Sequence, residues 1–368
     1  MADDVLGPRA LGRATLARQL LLHRDERPAL DAVEHLVGLQ AQVPRDPYVA
    51  LWSRLDGFRP ETLVALLLER RVVRTAVMRA TIHLLSADDA LRLRPLMQPV
   101  LDAELARHPE FAPLLEGVDL GPVLEHARAV FAEWPRTGPE LRGALAERFP
   151  TLDAAAMAYA CRCRLSLVQV PPRGLWGRSS QVTTTTAEAW LGRPVISQTS
   201  VDDVVLRYLA AFGPATAADV TTWCRLTGMR AVFDRLRPRL RTFRDESGRE
   251  LFDLPDAPRP DPDTPAPTRY LPEYDNVLLS HADRSRLVSD RAREGGARVT
   301  TRVQGTVLHD GMLAAVWRQE PGDPVTLVVT PAVRLSKRAA SSIEAEGRRL
   351  ARFLADGVPG VVRLEPSA

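Results

Sequence analysis

The chain has 368 residues and a formal net charge of +3, which is enough length for several domains with a sizeable buried core. The sequence contains no run of about 18 apolar residues, and its opening segment, MADDVLGPRA, lacks the apolar stretch of a signal peptide. Cys161, Cys163 and Cys224 fit neither a disulfide framework nor a zinc site. We therefore expect a reduced, cytoplasmic protein that contacts no membrane and needs no metal or other cofactor.

Arginine supplies almost all of the positive charge, because Lys337 is the single lysine among the 49 basic residues. Lys337 lies in an arginine-rich stretch that is typical of a surface helix. A Schiff-base mechanism requires a desolvated lysine amine, so this class of enzyme is disfavoured. Arginine is suited to contacts with phosphate and with aromatic rings.

Three rounds of helices, each followed by a β-hairpin, are predicted in the first 256 residues. The first round covers 8–115, and its predicted hairpin is VVRTAVMRATIHLL. The second covers 116–198, with a strand LSLVQV and a second strand from Leu175 onward. The third covers 199–256 and ends in RTFRD and RELFDL. This order is typical of winged-helix modules in tandem.

A proline-rich linker at 257–268 separates these modules from the last region, 269–368. Alternating apolar residues predict strands there, among them 298–308, followed by a helix over Ser336–Leu354 and a final strand near Val361. We expect a small β-barrel-like region with a C-terminal helix. The fold class is therefore α+β and mainly helical, with three tandem winged-helix modules and a C-terminal β-barrel-like region.

The segment VGLQAQVPRDPY places two glutamines, Gln40 and Gln42, at the end of a predicted helix. Val43 precedes Pro44, which disfavours the helical conformation. We expect the helix to end near Gln40, and in an extended chain residues i and i+2 point the same way. The two amides can then converge on one water or polar ligand.

Five segments together resemble the bacterial winged-helix DNA glycosylases of the AlkZ type. The resemblance implies three winged helices, a β-barrel element, a DNA-binding channel and a catalytic Gln-x-Gln motif, which Gln40-Ala41-Gln42 matches. It also implies excision of N7-alkylguanine, including bulky natural-product adducts and interstrand crosslinks, in DNA repair or antibiotic self-resistance. The segments are VGLQAQVPRDPY, MRATIHLLSADDA, LVQVPPRGLWG, FGPATAADVTTW and LPEYDNVLLSHADRSR.

The chemistry of amides agrees with such a substrate. An N7-alkylguanine is cationic and leaves as a neutral purine, so the enzyme need only orient a water towards C1′. Gln40 and Gln42 offer acceptors and donors without being strong bases, although they could instead cap a helix end. Asp46 and Glu34 could stabilise a cationic sugar, but Asp46 is more simply explained as a turn or cap residue.

Candidate DNA contacts lie on both sides of the motif. Arg45 follows the glutamines closely and is placed to anchor a phosphate. Arg173 and Arg178 flank Trp176 in a predicted wing, an arrangement that suits phosphate contacts but also a turn held by a buried tryptophan.

Histidines and arginines of two further segments complete the candidate DNA contacts. His83 is flanked by apolar residues, so it could contact DNA or be a hydrogen-bonded core histidine. His281, Arg284 and Arg286 form a basic loop after a predicted strand, and we expect at least one of the two arginines to contact phosphate.

The sequence therefore predicts a monomeric, monofunctional DNA glycosylase that acts on double-stranded DNA carrying alkylated guanine. Lyase activity is not expected, because no activated lysine is available. The alternative is a winged-helix protein that binds DNA in a regulatory or architectural role without catalysis.

Overall fold

The computed structural model describes residues 5–294 and 304–366. In these residues helices and strands combine into a mixed α+β fold whose strands form three separate sheets. No helix in the described ranges is long and apolar enough to cross a membrane.

The N-terminal part contains the Gln-Ala-Gln segment. The helix before it is shorter than predicted: it ends at His35, because the backbone turns to positive φ at Val37 and Gly38 before entering a short strand. Gln40 therefore ends a short strand and Gln42 lies in the bend that follows, so neither glutamine is at a helix end. The elements are β1 (Val5–Leu6), α1 (Pro8–Arg18), α2 (Ala29–His35), β2 (Leu39–Gln40), α3 (Asp46–Arg54), α4 (Pro60–Leu68), β3 (Val72–Ala76), β4 (Ile82–Ser86), α5 (Ala87–Leu96) and α6 (Gln98–Ala106), with 3-10 turns at Met78–Ala80 and Pro113–Leu115.

The middle part repeats the order of helices and then strands. Capping boxes start two equivalent helices, at Thr137 with Glu140 and at Thr216 with Asp219. The strand predicted from Leu175 onward is wrong, since its place is taken by a loop and the strand forms later, in TTTT. The elements are α7 (Gly121–Glu133), β5 (Arg136–Thr137), α8 (Gly138–Arg148), α9 (Ala154–Arg164), β6 (Leu167–Gln169), β7 (Thr183–Thr186), α10 (Ala187–Leu191), α11 (Val201–Phe212), α12 (Ala217–Cys224), α13 (Met229–Leu236), a 3-10 turn at Arg237–Arg239, β8 (Arg241–Asp245) and β9 (Glu250–Asp253).

The C-terminal part forms an open sheet with a long helix against it. Among the described residues its strand order is β10-β11-β12-β13-β14, so the sheet does not close into the expected barrel. The helix predicted over Ser336–Leu354 is confirmed, with Ser336 as its cap. Residues 298–303 of the predicted strand 298–308 lie outside the described residues. The elements are β10 (Arg269–Leu271), α14 (Asn276–Leu279), α15 (Asp290–Glu294), β11 (Gly305–His309), β12 (Met312–Glu320), β13 (Thr326–Pro331), α16 (Lys337–Leu354) and β14 (Val361–Leu364).

Strands from the first two helix-and-hairpin rounds share one sheet, with the order β2-β4-β3-β6-β7-β5 in the described chain. In its register Gln40 lies opposite His83, and Arg74 lies opposite Gln169. The apolar core beside this sheet extends from Val37 to Phe252. Because the sheet and the core cross the predicted boundaries, the winged-helix modules remain an interpretation of the element order.

Buried ion pairs connect the N-terminal part to later parts of the chain. The guanidinium of Arg54 in α3 donates to both carboxylate oxygens of Asp275, at 2.8 and 2.9 Å. Arg18 in α1 binds Asp253 through bonds of 2.6 and 2.8 Å and also donates to the carbonyl of Pro258. These pairs hold the proline-rich segment and the chain after it against the N-terminal helices.

We expect Asp253→Ala to lower the free energy of unfolding by about 3–5 kcal/mol, because it leaves a buried guanidinium without its carboxylate. Both side chains of the Arg18–Asp253 pair are 0% exposed. Glu250→Ala is the matched control, since its pair with Arg237 is partly exposed and should contribute less than about 1 kcal/mol. Urea unfolding measures both, and equal losses would contradict the expectation.

Candidate active site

The Gln-Ala-Gln segment lies at the edge of the six-stranded sheet formed by the described strands. The backbone N–H of Ala41 donates to the carbonyl of Ile82 at 2.8 Å, and the Gln42 side-chain oxygen accepts from the N–H of Ile82 at 3.4 Å. Gln40 is buried, whereas Gln42 is exposed. The motif therefore offers one amide fixed against the protein and one that faces solvent.

Arg79 fixes the first of these amides. This residue sits in the turn between β3 and β4 with φ at 57°, and its Nη2 donates to the Gln40 Oε1 at 2.7 Å. The same nitrogen donates to Asn276 Oδ1 at 2.8 Å, and Nη1 donates to the carbonyl of Trp223 at 2.7 Å. Because its oxygen is held by Arg79, the amide N–H groups are the hydrogen-bonding capacity that remains to the Gln40 side chain.

His83 lies behind the motif and is 0% exposed. Its Nδ1 is 3.1 Å from the carbonyl of Thr81, and its Nε2 is 3.4 Å from Arg79 Nη2. Burial first, and then the charge of Arg79, lower the pKa of His83 to about 3. Of the two interpretations of this histidine, the structure places it as a neutral, hydrogen-bonded core residue.

Two further guanidinium groups lie near Arg79. Burial lowers the pKa of Arg79 to about 10, and the positive charges of Arg225 and Arg284 contribute to the shift. Arg225 is exposed at the end of α12, and Arg284 is half-buried. Among the described residues neither side chain has a hydrogen-bond or ion-pair partner, so this cationic cluster, Arg79 with Arg225 and Arg284, is suited to hold an anion such as phosphate.

Arg225 was not predicted as a site residue. It follows a tryptophan and a buried cysteine in WCRLTG, with no basic run around it. Arg225 itself ends α12 and has a left-handed backbone, with φ at 68°. Only its proximity to Arg79 identifies it.

Arg45, Trp176 and Arg178 line one open cavity of about 360 Å³. The Trp176 ring packs between Tyr48 and Phe353, with centroid separations of 5.0 and 5.2 Å. Arg178 is exposed there. The structure therefore brings together three of the predicted DNA contacts and fixes the tryptophan by packing.

Three other predicted contacts are engaged inside the protein. Arg173 donates from Nη1 to the carbonyl of Ser180 at 2.8 Å and so closes its own loop. His281 lies 3.0 Å from the carbonyl of Phe212, and Arg286 donates to the carbonyl of Pro214 at 3.0 Å.

Two of these residues, His281 and Arg286, are buried, unlike Arg225 and Arg284 of the cationic cluster. His281 and Arg286 are 2% and 4% exposed, so the structure places both side chains in the core and not at the surface. The basic loop turns both side chains into the core and leaves only Arg284 near the surface.

The chain is similar to known DNA glycosylases in sequence and in fold. The family model for AlkZ-like DNA glycosylases matches residues 33–353. The Streptomyces sahachiroi DNA glycosylase AlkZ superposes with a TM-score of 0.78 at 21% sequence identity, over 98% of this chain and 100% of that one. At this identity the likeness shows a shared fold. No curated protein matches the chain.

We expect His83→Gln to reduce the loss of stability on acidification. An unfolded histidine takes up a proton near pH 6.5, whereas the folded ring, with a pKa of about 3, does not. Stability is therefore lost as the pH falls below about 6.5, by roughly 2 kcal/mol at pH 5 from this group. Urea unfolding between pH 5 and 7.5 measures the difference. His23→Gln, on the surface, should keep the wild-type dependence, and an unchanged slope in His83→Gln would contradict the assignment.

Proposed function

The chain belongs to the AlkZ-like DNA glycosylase family and is therefore a DNA glycosylase, and from this premise we propose that its substrates are purines made cationic by alkylation, N7-alkylguanine above all. The observation that carries this proposal is the neutrality of the motif. Gln40 and Gln42 are uncharged amides, and His83 behind them has its pKa near 3. Because neither the two amides nor His83 can protonate a leaving base at neutral pH, the motif is suited to a base that needs no proton.

The two amides differ in what they can do with a water molecule. Gln40 has its oxygen bound to Arg79, so its N–H groups can hold the oxygen of the water. Gln42 is exposed and has an acceptor oxygen whose only protein contact among the described residues is a 3.4 Å bond from Ile82. Together they can orient a water towards C1′, and orientation of this kind supplies several kcal/mol of barrier reduction.

We propose hydrolysis without a lyase step. The single lysine, Lys337, is the exposed first residue of α16, and its amine has no desolvated environment that would favour a Schiff base. Hydrolysis then leaves an intact abasic site.

Bulky adducts and crosslinks are the substrates that the position of the motif favours. Gln42 faces solvent at a sheet edge, so a large substituent on the guanine need not enter an enclosed pocket. Such an enzyme would act in DNA repair or in resistance to a DNA-alkylating metabolite.

The duplex would be held through its phosphates. Arg225 and Arg284 lie near Arg79, which binds Gln40. Arg45 and Arg178 line the cavity next to Trp176. Phosphate contacts of this kind fix orientation without reading the sequence, which suits an enzyme that recognises damage.

We expect Gln40→Ala and Gln42→Ala each to slow release of N7-methylguanine by about 100-fold, the size typical of losing one preorganised group. Single-turnover assays on a duplex with one N7-methylguanine, read by chromatography of the free base, measure this. Gln198→Ala, at an exposed glutamine between α10 and α11, is the control. Full activity in both variants, or no release above the spontaneous rate by the wild type, would refute the proposal and favour a non-catalytic DNA-binding protein.

We expect Arg225→Gln and Arg284→Gln to weaken binding to undamaged duplex and to reduce its salt dependence. Each lost phosphate contact should lower the slope of log K against log salt by about 1. Fluorescence anisotropy at several salt concentrations gives the slopes. Arg348→Gln, whose side chain pairs with Glu344 on α16, is the control, and three equal slopes would exclude the cationic cluster as a phosphate site.

A further inference from the structure

Hydrolysis of a cationic nucleoside releases a proton, and the amides of the motif cannot keep it. Water adds to C1′ while the bond to N9 breaks, the electron pair of that bond neutralises the leaving purine, and one proton of the water must depart. Amides are very weak bases, so Gln40 and Gln42 can orient the water but cannot accept this proton. The reaction that we propose therefore requires a base near the motif.

Asp46 is the carboxyl group closest to the motif along the chain. It is the first residue of α3, four residues after Gln42, and it is 4% exposed. Its Oδ2 is buried without a hydrogen-bond partner in the described chain. A buried carboxyl oxygen without a partner is costly, so its retention calls for an explanation beyond capping.

Glu273 supplies a second such carboxyl. It follows β10 and is half-buried, and its Oε2 also lacks a partner within the described ranges. Nearby Asp275 differs, because both of its oxygens accept from Arg54. The two uncompensated acids thus come from segments on opposite sides of the proline-rich linker.

The groups that face Asp46 include two arginines, but both are directed elsewhere. Arg45 donates from Nη1 to the side-chain oxygen of Gln319. Arg74 donates from Nη2 to the carbonyl of Ala41, between the two glutamines, at 2.6 Å. Arg74 therefore bonds to the backbone of the motif and makes no hydrogen bond to the Asp46 carboxylate in the described chain.

Burial, and then the negative charge of Glu273, raise the pKa of Asp46 well above its ordinary range; Asp275 adds to the rise, while Arg45 and Arg74 oppose it. Burial also raises the pKa of Glu273, against the charge of Arg45. Carboxylates with raised pKa values are stronger bases than exposed ones.

We propose that Asp46 and Glu273, each with a buried carboxyl oxygen that lacks a partner in the described chain, form the proton acceptor of the glycosylase and take up the proton of the attacking water. The inference rests on the proposed function. Atoms and charges balance in this step. C1′ gains a hydroxyl, the purine leaves neutral, and the carboxyl pair holds one proton until solvent removes it.

The test compares Asp46→Asn and Glu273→Gln with the wild type in single-turnover release of N7-methylguanine between pH 4.5 and 8.5. In the wild type the rate should fall as the pH drops through the raised pKa of the pair, because only an ionised carboxylate accepts a proton. Asp46→Asn should lose about 100-fold at neutral pH, within the range typical of general base catalysis.

Glu273→Gln gives the signature that a purely structural role would not produce. Removing the like charge lowers the pKa of Asp46, so the acidic fall in rate should move to lower pH while the rate at neutral pH changes less. Asp31→Asn, at an exposed acid on α2, carries the same charge change and should match the wild type. Thermal unfolding and duplex binding establish that each variant is folded.

The outcomes separate the two proposals. Wild-type rates and pH profiles in both variants would overturn the proton-acceptor role. Base release by the wild type would still support the proposed substrate. If Asp46→Asn does not fold, an unshifted profile in Glu273→Gln overturns the role by itself. Absence of base release by the wild type would refute the proposed substrate, and the inference with it.

Discussion

The guanidinium of the half-buried Arg79 makes the hydrogen bonds on which the site depends. It joins Gln40 at the sheet edge, Asn276 beyond the linker and the carbonyl of Trp223 in the third helical round. All of these acceptors are neutral, so the hydrogen bonds are satisfied while the positive charge is not. Partial withdrawal of a charge from water is unfavourable without a counterion, and a DNA phosphate beside Arg225 and Arg284 would supply one. The free protein is then poised for its polyanionic substrate, and the same contact fixes the orientation of the Gln40 amide.

Two other parts of the molecule make this arrangement possible. The sheet pairs β2 with β4, so Gln40 and the backbone of Ala41 are held against β4, and the Gln42 side chain accepts from Ile82. The Arg54–Asp275 pair then fixes the segment that carries Glu273 and Asn276 against α3. Since both partners are almost fully buried, breaking it would leave a charge in the core. The linker thus separates the regions in sequence, whereas ion pairs unite them in space.

Local signals in the sequence were sufficient for the motif and for most element types, but not for long-range placement. The proline after Val43 correctly indicated extended chain near the glutamines, and Ser336 correctly marked the start of the last helix. The predicted helix end near Gln40 was wrong, because Val37 adopts a positive φ that valine disfavours. Arg286 and His281 look like a basic loop, yet their burial is decided by packing against distant residues. Arg225 and Arg79 are 146 positions apart, and no periodicity encodes their approach.

The proposed selectivity for cationic bases follows from what surrounds the motif. A neutral purine must gain a proton before it leaves, and the nearest titratable ring, His83, is neutral over the whole range above its pKa of about 3. Protonating it would place a second charge beside Arg79 in the core, which burial makes costly. A purine alkylated at N7 avoids this step, because the alkyl group has already supplied the charge. The site then needs only an oriented water and an acceptor for its proton, and the unpartnered carboxyls of Asp46 and Glu273 are the groups available for that purpose in the described chain.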